Sequence, residues 1–121
     1  MIKQYLKTKA LIIGSTIILS IVALFIVNYI YAINYPGGKN FQTQWIASRA
    51  LITKKGDPYS ESVLYKIQES AYNRPAMAGE YEFRFNYPFF FFFFFLLFGL
   101  IKNYAMARVA WMLFLEILVV L

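Results

Sequence analysis

The sequence predicts an all-α integral membrane fold: three transmembrane helices, the third truncated, and a long outer loop carrying two interfacial helices. Three observations predict it. Of the 121 residues, 60% are hydrophobic and 15% charged, where soluble domains run near 45–50% and about 25%. The apolar residues fall into three segments, 10–33, 85–101 and 105–121. A polar stretch, 34–84, separates the first from the second. One core in a chain this short cannot hide that much apolar surface. The expected organisation is a single membrane domain, 1–121, with residues 1–9 cytoplasmic.

Other classes fall away on composition. There is no His and no Cys, which removes imidazole bases, thiol nucleophiles, disulfides and the usual zinc sites. No metal and no cofactor is expected. The net charge is +6. Beside apolar spans, basic residues report topology and anionic lipid rather than nucleic acid.

Residues 10–33 contain no charge, and Ser15, Thr16, Ser20 and Asn28 can bond within a helix. Their 24 residues reach across a hydrocarbon core of about 30 Å. A signal peptide has an apolar region of about 7–15 residues and a small-x-small cleavage site. This run is longer, and Ile30-Tyr31-Ala32 is too bulky, so an uncleaved span is expected. The second span, 85–101, holds the unbroken run Phe89–Phe95. With aromatic rings on all faces it meets lipid or other helices everywhere, or lines a groove for a lipid chain. Asn86 and Pro88 supply a cap-type residue and a first-turn proline. Lys102-Asn103-Tyr104 is a very short turn. The third stretch, 105–121, carries Arg108 and Glu116 and ends without Gly, Pro or a basic flank, which suggests a fragment of a larger polytopic protein.

Lys3, Lys7 and Lys9 precede the first span, and Lys102 and Arg108 flank the short turn. Both flanks are therefore expected in the cytoplasm and the loop 34–84 outside. The loop carries seven basic and five acidic residues, so the asymmetry is moderate. Within it, Pro36-Gly37-Gly38 signals a turn. Asn40 is the expected cap of a helix through Ile52, with Phe41, Trp45 and Ile52 on one face and Ile46 and Ala50 on the other. Lys54 and Lys55 suit its C-terminal dipole, and Gly56 its stop. Asp57-Pro58 restarts a helix as cap and first-turn proline. Tyr59, Val63, Leu64, Ile67 and Ala71 then form an apolar stripe suited to the membrane interface. Residues 73–84 read as an irregular connection.

Five pieces stand in order: Gly37-Gly38-Lys39-Asn40-Phe41, Trp45 through Leu51, Gly56-Asp57-Pro58-Tyr59, Phe85-Asn86-Tyr87-Pro88, and Tyr104-Ala105 through Ala110-Trp111. Together they resemble the N-terminal part of the polytopic glycosyltransferases of the C superfamily. The nearest likeness is the bacterial mannosyltransferase-type family that uses polyprenyl-phosphate sugars. The resemblance covers 35–111. It implies a bacterial plasma membrane and a lipid-phosphate sugar donor. It also implies inverting transfer to an acceptor hydroxyl, with an outer-loop carboxylate as general base. Physically, a weakly nucleophilic hydroxyl needs its proton accepted and a departing phosphate needs donors.

The family's acidic position after Gly-Gly is Asn40 here, and an amide takes no proton. Three readings remain open: a non-catalytic relative, a displaced base, or a local shift of the alignment. The displaced base would be Asp57, Glu80 or Glu82. Asp57 is equally a helix cap, and Glu80 and Glu82 are equally solvated acids that need not converge. Arg49, Arg74 and Arg84 could hold a lipid phosphate through bidentate contacts, and Trp45 could stack on a sugar or anchor at the interface. Glu116, at mid-membrane depth, needs a partner, expected on a helix this chain lacks. The expected partners are therefore membrane lipid, the lipid-phosphate donor and missing or partner helices. The alternative function is a small non-enzymatic membrane accessory or interaction protein. In either case this chain alone is expected to be inactive.

Overall fold

The computed structural model describes the backbone of residues 1–120 and all their side chains but those of Ile2 and Lys3. The expected end of the third span at Leu121 lies outside the described residues. Five α-helices carry the fold: α1 (Ile2–Asn34), α2 (Lys39–Ile52), α3 (Glu61–Tyr72), α4 (Phe92–Gly99) and α5 (Tyr104–Val120). A 3-10 turn, Phe89–Phe91, leads into α4. No strand occurs among the described residues, so the all-α expectation holds.

α1 spans 33 residues, about 50 Å at 1.5 Å per residue. By length and composition it is the one described helix able to cross a membrane alone, a property an N-terminal signal sequence shares. Thr16 and Ser20 donate to the carbonyls four residues back, as expected of hydroxyls in an apolar helix. Asn28 does not. It is buried, and its Nδ2 donates to Glu116 Oε2 at 2.9 Å. The partner of Glu116 therefore lies within this chain, correcting the expectation of an absent helix.

That bond fixes how α5 lies on α1. Asn28 meets Glu116, the Tyr35 carbonyl accepts from Arg108 Nη1 at 2.7 Å, and the Gly37 carbonyl accepts from the Tyr104 hydroxyl at 3.0 Å. Numbers rise along one helix as they fall along the other, so the two are antiparallel. The start of α5, with Lys102 beside it, thus sits at the loop end of α1. Lys102 and Arg108 lie near the loop end of α1, where the sequence reading expected them at the other end. Arg108 is also no solvated flank: it is buried, with its guanidinium 5.3 Å from the Tyr31 ring centroid.

The second span is not formed as expected. Phe85 to Pro88 is non-helical, and Phe89–Gly99 supplies only eleven helical residues, about 16 Å. Between α4 and α5 the chain turns by 117°, nearer perpendicular than a hairpin of two spans. Side chains hold this corner. Arg49 Nη1 donates to the Gly99 carbonyl at 3.1 Å and Trp45 Nε1 to the Ile101 carbonyl at 3.0 Å. These satisfy acceptors a helix end leaves open. Asn103 Oδ1 accepts from the Met106 amide at 3.1 Å and so caps α5. Among the described residues one helix is long and apolar enough to cross alone, and three separate spans are not shown.

The two loop helices form, but their ends and burial differ from expectation. α2 starts at Lys39 with Gly38, at φ 71°, in the cap position; Asn40 lies inside the first turn. A residue there must take positive φ, which glycine does at least cost. α2 stops at Ile52, four residues before Gly56. Lys54, at φ 53°, donates to Leu51 O while Lys55 donates to Ala50 O. These two bonds make a Schellman end with lysine in the usual glycine place. α3 starts at Glu61, with Ser60 before it. Asp57 does not cap it. Asp57 Oδ1 accepts from the Tyr59 amide at 2.9 Å, closing a separate turn whose carbonyl accepts from Ser60 N.

The α3 stripe does not lie open to the membrane. Val63, Leu64 and Ile67 are buried, whereas Tyr59 is exposed. Val63 and Ile67 join Ala47, Ala50, Phe85 and Phe92 in one core. A second, aromatic layer lies on the other side of α2. Phe41 stacks on Trp111 with centroids 5.3 Å apart, and Phe98 and Phe95 also meet Trp111. The two-faced pattern of α2 thus reflects a helix between two packed layers. Of the Phe run, Phe92 is buried, while Phe89, Phe90, Phe93 and Phe94 stay exposed.

One prediction follows for the 57–60 turn. Asp57→Ala should raise amide exchange at Tyr59 and Ser60 yet leave Val63 to Tyr72 protected, because Asp57 bonds the turn and not the helix. Asp57→Asn should match the parent. Hydrogen exchange read by mass spectrometry separates the two.

Candidate functional site

Two clefts open on the folded loop. The first, of about 80 Å³, is lined by Asn40, Thr43, Gln44, Arg84, Asn86 and Tyr87, with Tyr81 and Phe83. α2 supplies its first three residues from one face. The 81–87 segment supplies the rest and is clasped by Gln68, whose Nε2 donates to the Glu82 carbonyl and whose Oε1 accepts from the Ala76 amide. Phe83 sits at φ 52°, a strained conformation for a bulky residue that costs roughly 1–3 kcal/mol. Its ring packs against Tyr72 and Tyr81, which holds it there. Gln44 Oε1 is buried without a hydrogen-bond partner.

Asn40 and Arg84 therefore share a cleft, as a matched acid position and a phosphate-binding arginine would. No carboxylate lines this cleft, although Glu61 and Glu82 pair with Arg84 at its edge. Asp57 is occupied in its own turn. Arg74 grips Glu80 with both Nη atoms at 2.7 Å, and the Met77 amide donates to the same carboxylate at 2.8 Å. The arginine bonds first, then the amide, lower the Glu80 pKa to about 2. So acidic a group is a poor acceptor of a hydroxyl proton near neutrality. Glu82 lies 3.5 Å from Arg84 Nε, while Arg84 Nη1 reaches Glu61 at 2.8 Å. The bond to Glu61, then its charge, raise the Arg84 pKa. Glu80 and Glu82 thus face separate arginines and do not converge. No cluster of three or more acids able to hold a metal ion occurs among the described residues.

The second cleft, of about 190 Å³, takes Trp45, Arg49, Thr53, Lys55 and Lys66. Arg49 lies over the Trp45 ring, 5.5 Å from its centroid, and is held by the Gly99 carbonyl. The expected substrate residues are thus split: Trp45 and Arg49 here, Arg84 in the first cleft. The sequence reading missed Gln44, Asn86 and Tyr87 at the first cleft, Gln68 that holds the segment lining it, and Lys55 and Lys66 at the second. Thr43, Gln44, Ala47 and Ser48 carried a usable signal, since small and polar residues at helical spacing mark a face that packs closely.

The Glu80 clasp has a pH signature. Its folded pKa is depressed from 4.5 to about 2. Its contribution is therefore complete above the unfolded value and is lost as pH falls from about 4.5 through about 2. The protection of amides in 74–82, measured as exchange relative to the intrinsic rate at each pH, should fall across that window in the parent, and Glu80→Gln should show the reduced protection already at pH 7. A parent profile flat between pH 5 and 2 would refute the clasp.

No family model, curated protein or solved structure matches the chain.

Proposed function

We propose that the chain is a non-enzymatic membrane accessory module. α1 crosses the bilayer, α5, with 17 residues or about 26 Å, runs antiparallel along it through most of the hydrocarbon core, and α4 lies at the membrane surface on the loop side. Residues 35–103 form a helical head that docks on a partner. The observation that carries the reading is the fate of the carboxylates. Asp57 and Glu80 are held in turns of the loop itself, Glu82 is exposed beside Arg84, and the cleft at Asn40 is lined only by neutral amides, hydroxyls, rings and one arginine.

The membrane placement rests on apolar surface that nothing among the described residues covers. Leu11, Ile18, Leu19 and Val27 on α1, and Leu118 and Val119 on α5, are exposed. Such an area is costly in water and favourable in lipid. Side-chain contacts between Asn28 and Glu116 keep α1 with the folded chain, which favours a retained span over a cleaved leader. With Lys102 now on the loop side, charge bias no longer separates the two ends as first read. The 35–103 segment exceeds the roughly 60 residues for which loop charge governs translocation. The N-terminal lysines alone therefore set α1 with its start in the cytoplasm and the head outside.

The second reading is the N-terminal portion of a glycosyltransferase using a lipid-phosphate sugar. The shared cleft of Asn40 and Arg84 favours it. Incubation of the reconstituted chain with a polyprenyl-phosphate sugar and acceptor extract can overturn the accessory reading, while silence is expected of this chain alone on either reading. No product is expected from the parent or from Asn40→Asp. Product from Asn40→Asp alone would establish the second reading, and product from the parent would overturn the assignment of every carboxylate above.

A further inference from the structure

We propose that the groove formed by Trp45, Arg49, Thr53, Lys55 and Lys66 binds the phosphodiester of an anionic phospholipid headgroup. The groove brings three cations together with no carboxylate in its lining. Arg49 is set in advance: one guanidinium nitrogen holds the Gly99 carbonyl and the plane rests on Trp45. Its other donors have no protein acceptor among the described residues. A guanidinium fixed in this way loses little freedom when it grips a phosphate in a fork. The two lysines add point charge, while the Thr53 hydroxyl proton is already given to the Arg49 carbonyl at 2.7 Å. α2's C-terminal dipole does not repel the anion strongly, because the Schellman bonds and the Thr53 hydroxyl already occupy its last carbonyls.

Position selects lipid as the source of the phosphate. The groove sits at the C-terminal end of α4, where Trp45 and Arg49 hold Gly99 and Ile101. Back along α4 from that end the exposed surface is apolar. Phe90, Phe93, Phe94 and Leu97 face outward, and Phe93, Phe94 and Leu97 run on to Phe114 of α5 in one apolar groove of about 330 Å³. A ring-rich helix turned nearly across α5 seats itself among acyl chains. Its cationic end then lies at headgroup level, where tryptophan is also favoured. Each basic residue at such a surface gains from anionic lipid. This inference goes beyond the accessory reading. It shares with that reading only the placement of α4, which cysteine labelling tests separately.

Calorimetric titration of the full chain in a nonionic detergent tests it. The probes are short-chain phosphatidylglycerol, short-chain phosphatidylcholine and inorganic phosphate, each below any micelle-forming concentration of its own. Saturable binding of the phosphatidylglycerol is expected, at least tenfold tighter than either other probe and weakened by salt. Lys55→Gln/Lys66→Gln should loosen it at least tenfold with an unchanged far-ultraviolet spectrum, while Lys54→Gln, outside the groove, should bind as the parent does. Equal affinity for phosphatidylcholine would mean that only acyl chains are held. Equal affinity for inorganic phosphate would make free phosphate the ligand. Parent-like binding by the double variant would place the site elsewhere. Any of the three overturns the proposal.

Discussion

Gly99→Leu is expected to unseat α4 from α2 and abolish the tertiary aromatic signal of the head. Gly99 is buried in a helix, where alanine would gain about 1 kcal/mol by intrinsic propensity. Packing reverses that sign. A Cβ at this position would lie 2.8 Å from Ser48 Cβ, 3.0 Å from Ile52 Cδ1 and 3.4 Å from the Ser48 carbonyl carbon. The isoleucine tip can turn aside, but the Ser48 atoms are anchored to the α2 backbone, so α4 must withdraw. Overpacking of this kind costs about 1–3 kcal/mol for one methyl, and a leucine asks for far more space. Withdrawal also breaks the bonds from Arg49 and Trp45 that hold the corner. Near-ultraviolet circular dichroism reads the rings around Trp111, and thermal melting reads stability. The leucine variant should lose the first and melt well below the parent while keeping the helical signal of α1. A parent-like melt would mean that α4 does not approach α2 as described.

The second large effect concerns Asn28 and Glu116. Asn28→Leu leaves a carboxylate without its donor, and Glu116→Leu leaves a buried amide without its acceptor. A charged acid at mid-membrane costs on the order of 2.5–3.5 kcal/mol on insertion scales, so Asn28→Leu should be the more damaging change. Polar bonds between helices in lipid average only about 0.6 kcal/mol. Replacing both residues with leucine should therefore return stability close to the parent. Denaturation of the three variants in mixed micelles closes the cycle. Additive losses in the double variant would show that the two side chains do not interact.

Much of the architecture was legible as periodicity. Residues 10–33 read as one long helix because a charge-free apolar run has little alternative, and α2 and α3 were found from their spacing. What periodicity could not give was the partner of each face. The α3 stripe fits a membrane interface and a protein core equally well, and only the presence of Ala47, Ala50 and Phe92 opposite it decides. The 85–101 segment misled for a related reason. Its composition suits a span, but Gly99 against Ser48 and the side-chain caps from Arg49 and Trp45 turn the chain before a crossing is complete. Those contacts join residues about 50 apart in sequence and leave no local signature. Lys102 followed it to the wrong end. At the candidate site, Asn40 and Arg84 were named from sequence and line one cleft. Gln44, Asn86 and Tyr87 were not, because amides and tyrosines on a loop look alike whether or not they line a cleft.

The antiparallel α1–α5 pair, with all of residues 35–103 at one end, is the central claim, and Lys102 tests it most directly. The chain has no cysteine, so single cysteines report position without background. Cells expressing Ser62→Cys, Lys102→Cys or Gln4→Cys are treated intact with a membrane-impermeant thiol reagent, then again after permeabilisation. Cysteines at 62 and 102 should label in intact cells, and that at 4 only after permeabilisation. Protection of the cysteine at 102 together with that at 4, while 62 labels, would restore three separate spans and contradict the account.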